Sequence, residues 1–573
     1  MLGKIIEIAN GVIIVKLDIN IYENNNLIGK NVVFEDGDVR IIGEILNVYS
    51  DKIEITIIGE ISNNNFIYGD IIKPSFRSNC RVITREELDI MFSHDINLNS
   101  LKLGSSFIYN NYDIYLNINN FFSNHFSVLG NTGSGKSHSI AYIIQSIFYQ
   151  AKSLPFRTNI FLFDAYGEYQ QAFSNIGSIN ENINYKIYTT NLLDSEYEII
   201  KFPFWFLTVD DLALLLNVTE SAQLPVIEKA LKLVGLFARE EEYVIKQKND
   251  IIARCLLDVI FSGKNPSYIR NKLVSIMSKF YTNDINLDIN LTKGGWTRTF
   301  RQCIFVEEGG KFADIELIIH YLEDYVSDDF ELVLPDGSFM YTINDFSNAL
   351  EFALISEGIM SSDKVFDYAN VLKVRLNSLI NSEYSKYFDY NFYITKNDYI
   401  KGLLTAKNGR KAQVINFNIN YVDDRFAKCL VKIYSKLLFD YITTLKNRAS
   451  MPFHIILEEA HRYAQNDKDK EILGYNIFER IAKEGRKYGI LLGLISQRPS
   501  EISETTISQC SNFLMFKIFH PRDLSFIDSV LPDINSGISK KLKTLHPGAC
   551  IIYGNAFKMP VIVKMGMPNP TPL

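Results

Sequence analysis

The sequence predicts an α/β protein with a small β-barrel ahead of the α/β core and a helical subdomain inserted into that core. Three observations carry the prediction. Short Ile- and Val-rich runs at even spacing fill residues 1 to about 95 with no helical period between them, the pattern of a small barrel or sandwich. From about residue 100, apolar strands alternate with amphipathic helices, as in an α/β core. Between about 200 and 400 the chain turns mainly helical before strand signals return, so the core is split by an insertion.

The barrel runs are GVIIVKL, NVVFEDG, VRIIGEILNVY, KIEITIIGEI and FIYGDIIKP, with turn signals at Asn24-Asn25-Asn26, Asp36-Gly37-Asp38 and Asn63-Asn64-Asn65. Residues 1–95 show no chemistry and read as an assembly or partner-docking module. The first part of the core, 96–198, opens on the strand FSVLG (126–130) and a glycine-rich turn. The helix that follows carries Ile140, Ile143, Ile144, Ile147 and Phe148 at helical spacing. IFLFD (160–164) is a second buried strand. Residues 199–400 hold helical runs such as DDLALLLNV and LPVIEKALKLVGLF, with no catalytic signature. The second part of the core, 401–545, has strand signals at AQVINF (412–417), FHIIL (453–457), ILLGLIS (490–496) and FLMFKIF (513–519). A long helix from about 423 to 446 lies among them, and 546–573 supply closing strands and a tail.

With 573 residues, 47% hydrophobic and 22% charged, the chain has room for about three or four domains and the balance of a soluble globular protein. Disorder, collagen-like order and a disulfide scaffold are excluded on composition. No stretch approaches the roughly 18 uninterrupted apolar residues of a membrane-spanning helix. Lys4 and Glu7 interrupt the first apolar run, so no secretory signal is read there. The expectation is a cytoplasmic protein with no membrane partner. Cys80, Cys255, Cys303, Cys429, Cys510 and Cys550 are scattered without a CxxC pair, which fits reduced, buried thiols. His454 and His461 flank two glutamates, but the HExxH spacing is absent and the segment reads as a strand. The net charge is −7. A protein coated in nucleic acid would be basic, so any DNA contact must come from a local patch.

Gly130-Asn131-Thr132-Gly133-Ser134-Gly135-Lys136-Ser137 is a full GxxxxGK[ST] phosphate loop between a hydrophobic strand and an amphipathic helix. Its glycines let backbone N–H groups turn inward around phosphates, and the helix amino terminus adds dipole and unpaired donors. Lys136 is expected on the β- and γ-phosphates and Ser137 on magnesium, with Ser139 counted among the nucleotide-binding residues. The strand FHIIL runs into Glu458 and Glu459, a Walker B arrangement. Glu458 is assigned to magnesium through water and Glu459 to the general base. Gln497, in Ser496-Gln497-Arg498-Pro499, stands where an amide senses the γ-phosphate. Phosphoryl transfer gains from an arginine supplied across a subunit boundary; Arg486 is the first candidate and Arg498 the second. Asp164 and Glu168, in Asp164-Ala165-Tyr166-Gly167-Glu168-Tyr169, face the same nucleotide edge. The cofactors expected are ATP and Mg2+.

In order along the chain, the GNTGSGKS loop, the DAYGEY turn, the LEEAHRY segment, the EGRKYG run and the SQRP motif resemble the HerA family of hexameric ATPases, relatives of the FtsK DNA pumps. The amino-terminal barrel and the closing LHPGACIIYGNAFKMPVIVK resemble the family too, so the likeness spans nearly the whole chain; between 200 and 400 it holds only in position and character. One departure is DAYGEY, where the family usually has Pro-His before Gly-Glu-Tyr. The resemblance implies a RecA-like P-loop ATPase core in a homohexameric ring that hydrolyses ATP between subunits and translocates double-stranded DNA. It also implies a partner: the NurA nuclease in archaeal end resection, or a nuclease or sirtuin-like effector in bacterial antiphage defence. No nuclease or NAD-consuming centre is legible in this chain. The competing reading is a regulatory or scaffold ring whose nucleotide state controls a bound effector without moving DNA.

Overall fold

The computed structural model describes residues 1–9, 11–18, 27–37, 39–69, 72–92, 99–109, 111–150, 155–327, 332–357, 363–531 and 538–573. The turn signal Asn24-Asn25-Asn26 and Asp38 lie outside the described residues. The chain divides into two units: Met1–Glu198, Gly402–Asp467 and Asn476–Leu573 form the first, Ile199–Lys401 and Lys468–Tyr475 the second.

The first unit begins with the strands β1 (Gly3–Ala9), β2 (Val12–Leu17), β3 (Asn31–Asp36), β4 (Val39–Val48), β5 (Lys52–Ser62), β6 (Asn65–Tyr68) and β7 (Asn79–Val82). They run in the order β2-β1-β7-β3-β4-β5, and β2 also pairs with β5, so six strands close into a barrel while β6 hangs on β5. Closure removes free sheet edges. Alternation fills the interior: Ile13 and Val15, Val32 and Phe34, Ile41 and Ile45, and Ile53 and Ile55 pack around Cys80. The opposite faces of β3, β4 and β5 place Val33, Ile42, Ile58 and Ile61 in one core with Leu101, Leu103 and Phe121. The polar contact between Asn31 and Tyr109 is reciprocal, at 2.8 Å each way. The sequence runs announced the middle strands. They did not announce β1, where Lys4 and Glu7 break the apolar run, or the four-residue β7 that completes the barrel.

A twelve-stranded sheet forms the α/β core. Its first strands are β8 (Ser100–Ser106), β9 (Asp113–Asn117), β10 (His125–Leu129), β11 (Asn159–Asp164), β12 (Tyr185–Thr189) and β13 (Glu198–Ile199). The hairpin β14 (Asn290–Lys293) and β15 (Trp296–Thr299) stands apart from it. The sheet resumes with β16 (Val414–Asn418), β17 (Phe453–Leu457), β18 (Ile490–Ser496), β19 (Cys510–Met515), β20 (Ala549–Gly554) and β21 (Val561–Met565). The order is β13-β12-β16-β11-β17-β18-β10-β19-β20-β21-β8-β9. The strands from β12 to β19 in that order pair in parallel, whereas β20, β21, β8 and β9 extend the sheet antiparallel. The central strands β10, β11, β16, β17 and β18 are buried at every residue, which is why they read as continuous apolar runs rather than alternating ones. The FLMFKIF signal settles three residues earlier, as Cys510–Met515.

The second unit is mainly helical, with Val209–Leu215, Leu224–Leu233, Glu242–Ile260, Pro266–Lys279, Ile315–Glu323, Ile343–Glu357 and Asp363–Ile380 as its longer helices. Start signals are local. Thr208 and Asp211 form a capping box, and Asn265 caps a helix that begins on Pro266, satisfying N–H groups that have no partner within the helix. The unit's second piece, Lys468–Tyr475, is a short excursion from the core with no sequence signal.

Candidate active site

Parallel strands bring the motif residues to one edge. The phosphate loop follows β10, Asp164 ends β11, Glu458 and Glu459 follow β17, and Gln497 follows β18; β11, β17, β18 and β10 are successive neighbours. In a parallel α/β sheet the carboxyl ends of the strands form the ligand edge.

The loop is shaped by glycine and pinned from behind. Gly130, Gly133 and Gly135 have φ of +158°, +72° and +108°. A Cβ on Gly130 would stand 2.5 Å from Phe516 Cβ, and one on Gly135 would stand 3.2 Å from Gly548 Cα. Backbone bonds fix the loop to its neighbours: Gly130 N donates to Ser496 O at 3.1 Å, Asn131 N to Lys517 O at 2.9 Å, and Gly548 N to Ser134 O at 2.9 Å. The helix Lys136–Tyr149 starts from Gly135 with no side-chain cap, so its first N–H groups remain available to an anion. Ser134 Oγ is buried without a partner. Lys136 is buried and donates from Nζ to Asn131 O at 3.0 Å. Burial draws its pKa down, against Glu459, Glu458 and Glu168, which favour the charged form. Ser139 is turned away from the cradle; its hydroxyl donates to Gly135 O at 2.8 Å. The arrangement fits a triphosphate: open donors, an orphaned hydroxyl and an ammonium resting on a carbonyl.

Four carboxyls meet behind and beside the loop. Asp164 accepts from Glu168 N at 3.0 Å, Tyr169 N at 2.9 Å and Asn416 Nδ2 at 3.2 Å. It is fully buried, so it shapes the turn that carries Glu168 and does not itself lie open at the edge. Glu458 faces it and accepts from Ala165 N at 3.0 Å. Burial pushes both pKa values up, and the neighbouring Asp164 charge pushes Glu458 further. Asp164 has the richer donor set, so the proton held by the pair rests on Glu458. Tyr169, wholly buried, turns its hydroxyl toward Ser137. Ser137 and Glu458 fit magnesium that enters with the triphosphate, since such ions take one hydroxyl, waters and phosphate oxygens.

Glu459 sits in the left-handed region at φ +50°, ψ +48°. Its Oε1 accepts from Gln497 Nε2 at 2.8 Å, and Gln497 Oε1 accepts from the Thr132 hydroxyl. Its Oε2 is buried without a hydrogen bond, 3.2 Å from His461 Nδ1. Burial raises the Glu459 pKa, while Lys136 and Arg462 hold it back. Three site residues were missed by sequence reasoning. His461 Nδ1 lies 3.1 Å from Ser496 Oγ, which also accepts from Arg498 N at 3.0 Å. Arg462 pairs with Asp424 and lies 5.8 Å from the Tyr166 ring and 5.7 Å from the Tyr463 ring. Asn416, from β16, steadies Asp164. His461 and Arg462 lie inside the LEEAHRY run, so the motif marked them; only the pairing across sequence gives them a place.

The two arginines part company. Arg498 lies at the nucleotide edge, exposed and paired with Glu501 at 3.0 Å. Arg486 is exposed in the last turn of the helix Ile477–Tyr488, immediately before β18 begins. Its charge is felt by His125, the first residue of β10. Arg486 is therefore at the opposite end of the parallel strands from its own phosphate loop, about 20 Å away at 3.3 Å per residue. His454 is buried on β17, with Nε2 2.8 Å from Phe122 O, and all six cysteines are buried and free. Among the described residues no helix is long and apolar enough to cross a membrane.

Residues 101–287 match the family described as "Helicase HerA, central domain". The chain is similar to the "DNA double-strand break repair helicase HerA" of Pyrococcus furiosus, 22% identical over 537 residues, covering 92% of this chain and 80% of that protein. It is similar also to the protein of the same name from Saccharolobus solfataricus, 23% identical over 512 residues, with 88% and 75% covered. Among solved structures, VirB4 of Thermoanaerobacter pseudethanolicus aligns with a TM-score of 0.42 at 10% identity, covering 83% of this chain and 98% of that one.

Proposed function

We propose that this chain, an ATP-hydrolysing P-loop enzyme similar over most of its length to the HerA helicases, works as a homohexameric ring. In that reading it hydrolyses ATP between subunits to translocate double-stranded DNA, with a partner nuclease or sirtuin-like effector supplying any further chemistry. The observation that carries the reading is the strand-end cluster in which Lys136, Glu459 and Gln497 converge on the phosphate loop. The relatives' printed names, DNA double-strand break repair helicases, support DNA as the polymer acted on.

The chain's own residues divide the work. Loop N–H groups and Lys136 hold the phosphates, Lys136 giving up the Asn131 carbonyl to do so. Ser137 directly and Glu458 through water would hold magnesium, which would supply charge neutralisation on the phosphates. Glu459 takes the proton of the attacking water on Oε2, the oxygen left without a hydrogen bond, while Gln497 fixes Oε1. Water adds to the γ-phosphorus, the bond to the bridging oxygen breaks, and ADP and phosphate result. Arg486 cannot reach its own loop, so it is assigned to a neighbour's site, where positive charge offsets what builds on the transferring oxygens. Lys446, Arg448, Lys483 and Lys487 are exposed around it; Ala449 N bonds to Tyr488 O at 3.1 Å and holds the loop carrying Lys446 and Arg448 against the helix end. A basic face there suits a neighbour's phosphate edge.

The test is steady-state ATP hydrolysis with and without linear duplex DNA at low and moderate salt. Stimulation by duplex that weakens as salt rises is the expected result. Hydrolysis indifferent to DNA overturns the motor reading in favour of a ring that regulates a bound effector.

A further inference from the structure

The loops that follow three neighbouring strands, β17, β18 and β10, carry residues that touch: Glu459, Gln497 and Thr132. The geometry points to Thr132 as a positioning residue for hydrolysis, setting which end of the Gln497 amide faces the Glu459 carboxylate. The inference rests on Glu459 being the general base. A carboxylate can only accept, so the amide must show it Nε2 and turn Oε1 away. Oε1 then needs a donor, and the Thr132 hydroxyl supplies it. Polarity thus runs in one direction, from the Thr132 hydroxyl to Gln497 Oε1 and from Gln497 Nε2 to Glu459 Oε1.

Without that hydroxyl the amide is held at one end only, by the Glu459 carboxylate, and Oε1 loses its donor. A flipped Gln497 would set a carbonyl against the carboxylate and swing Glu459 off line. The residue that does the fixing is on the phosphate loop itself, two residues beyond Gly130, so the base is aligned by the same loop that holds the phosphates. Gly130 N bonded to Ser496 O at 3.1 Å keeps the loop and the Gln497 strand in register. The loop's grip on phosphate uses backbone N–H groups and Lys136, none of which Thr132 supplies through its side chain.

The test compares Thr132→Val, Thr132→Ser, Gln497→Leu and Thr132→Val/Gln497→Leu with Glu459→Gln in the full-length chain, measuring ATP affinity with a non-hydrolysable analogue alongside kcat and KM. Thr132→Val is expected to lower kcat about tenfold, the upper end for one lost hydrogen bond between neutral groups, with analogue affinity within about twofold. Thr132→Ser keeps the hydroxyl and restores kcat to within about twofold. The double variant is no slower than Gln497→Leu alone, because the two residues act through one contact. Unchanged kcat in Thr132→Val, a change in affinity alone, or additive losses in the double variant overturn the positioning role. Failure of the base reading is separate: it shows as Glu459→Gln retaining hydrolysis. If Thr132→Val folds poorly, Thr132→Ser against Thr132→Ala decides the same point.

Discussion

At Glu458 the site sets function against stability. Its carboxyl is buried against Asp164 and its pKa is pushed well above the usual carboxylate range by burial and by that neighbour. The sign follows from linkage. A raised carboxyl pKa contributes stability below the ordinary value near 4.5, and that contribution is lost as pH rises through the folded value. Glu458→Gln mimics the protonated form, with its amide able to donate to Asp164 and its carbonyl able to accept from Ala165 N. We expect Glu458→Gln to melt about 2–4 °C above the wild type at pH 8, with the gap closing near pH 5. A variant equal to or below the wild type at pH 8 contradicts the buried-pair account. Glu459 carries a second local cost, since a non-glycine residue at φ +50° is disfavoured by roughly 1 kcal/mol. The turn there sets Oε1 on the Gln497 amide at 2.8 Å and Oε2 3.2 Å from His461 Nδ1.

At the scale of elements, one buried amide joins three segments. Gln145, on the phosphate-loop helix, donates to Ala172 O at 2.6 Å and Pro570 O at 2.8 Å, and accepts from Asn569 N at 2.8 Å. Leu573 N bonds to Glu168 O at 2.9 Å, so residues 569–573 strap the helix to the turn bearing Glu168. Gln145→Leu leaves those buried groups unpaired and is expected to cost about 2–3 kcal/mol, with faster amide hydrogen exchange over 569–573. Unchanged exchange there contradicts the strap. The sequence was legible where physics leaves a local trace. Strands buried on both faces read as apolar runs, and a loop that wraps phosphate needs its glycines at fixed spacing. A lone glutamine on an apolar helix leaves no such trace, and neither does the four-residue strand β7 that closes the barrel. Thr132 and Gln497 are 365 positions apart, and only the sheet order makes them neighbours.

For the whole molecule, the placement of the arginines decides what kind of machine is possible. A single copy collects the phosphate loop, the Walker B glutamates and Gln497 at one edge and leaves Arg486 at the other. Its net charge of −7 makes broad coating by DNA unfavourable, whereas in the proposed ring the basic face at Arg486 would meet the phosphate edge of a second copy. Hydrolysis completed between copies is therefore the claim on which the ring reading stands, and subunit mixing tests it most directly. Arg486→Ala and Glu459→Gln are each inactive alone in this account. Combined, they create interfaces that pair an intact Glu459 with an intact Arg486, and ATP hydrolysis should reappear with a maximum near equal proportions. No hydrolysis above the sum of the separate variants, at any ratio at which exchange of subunits is verified, would contradict it.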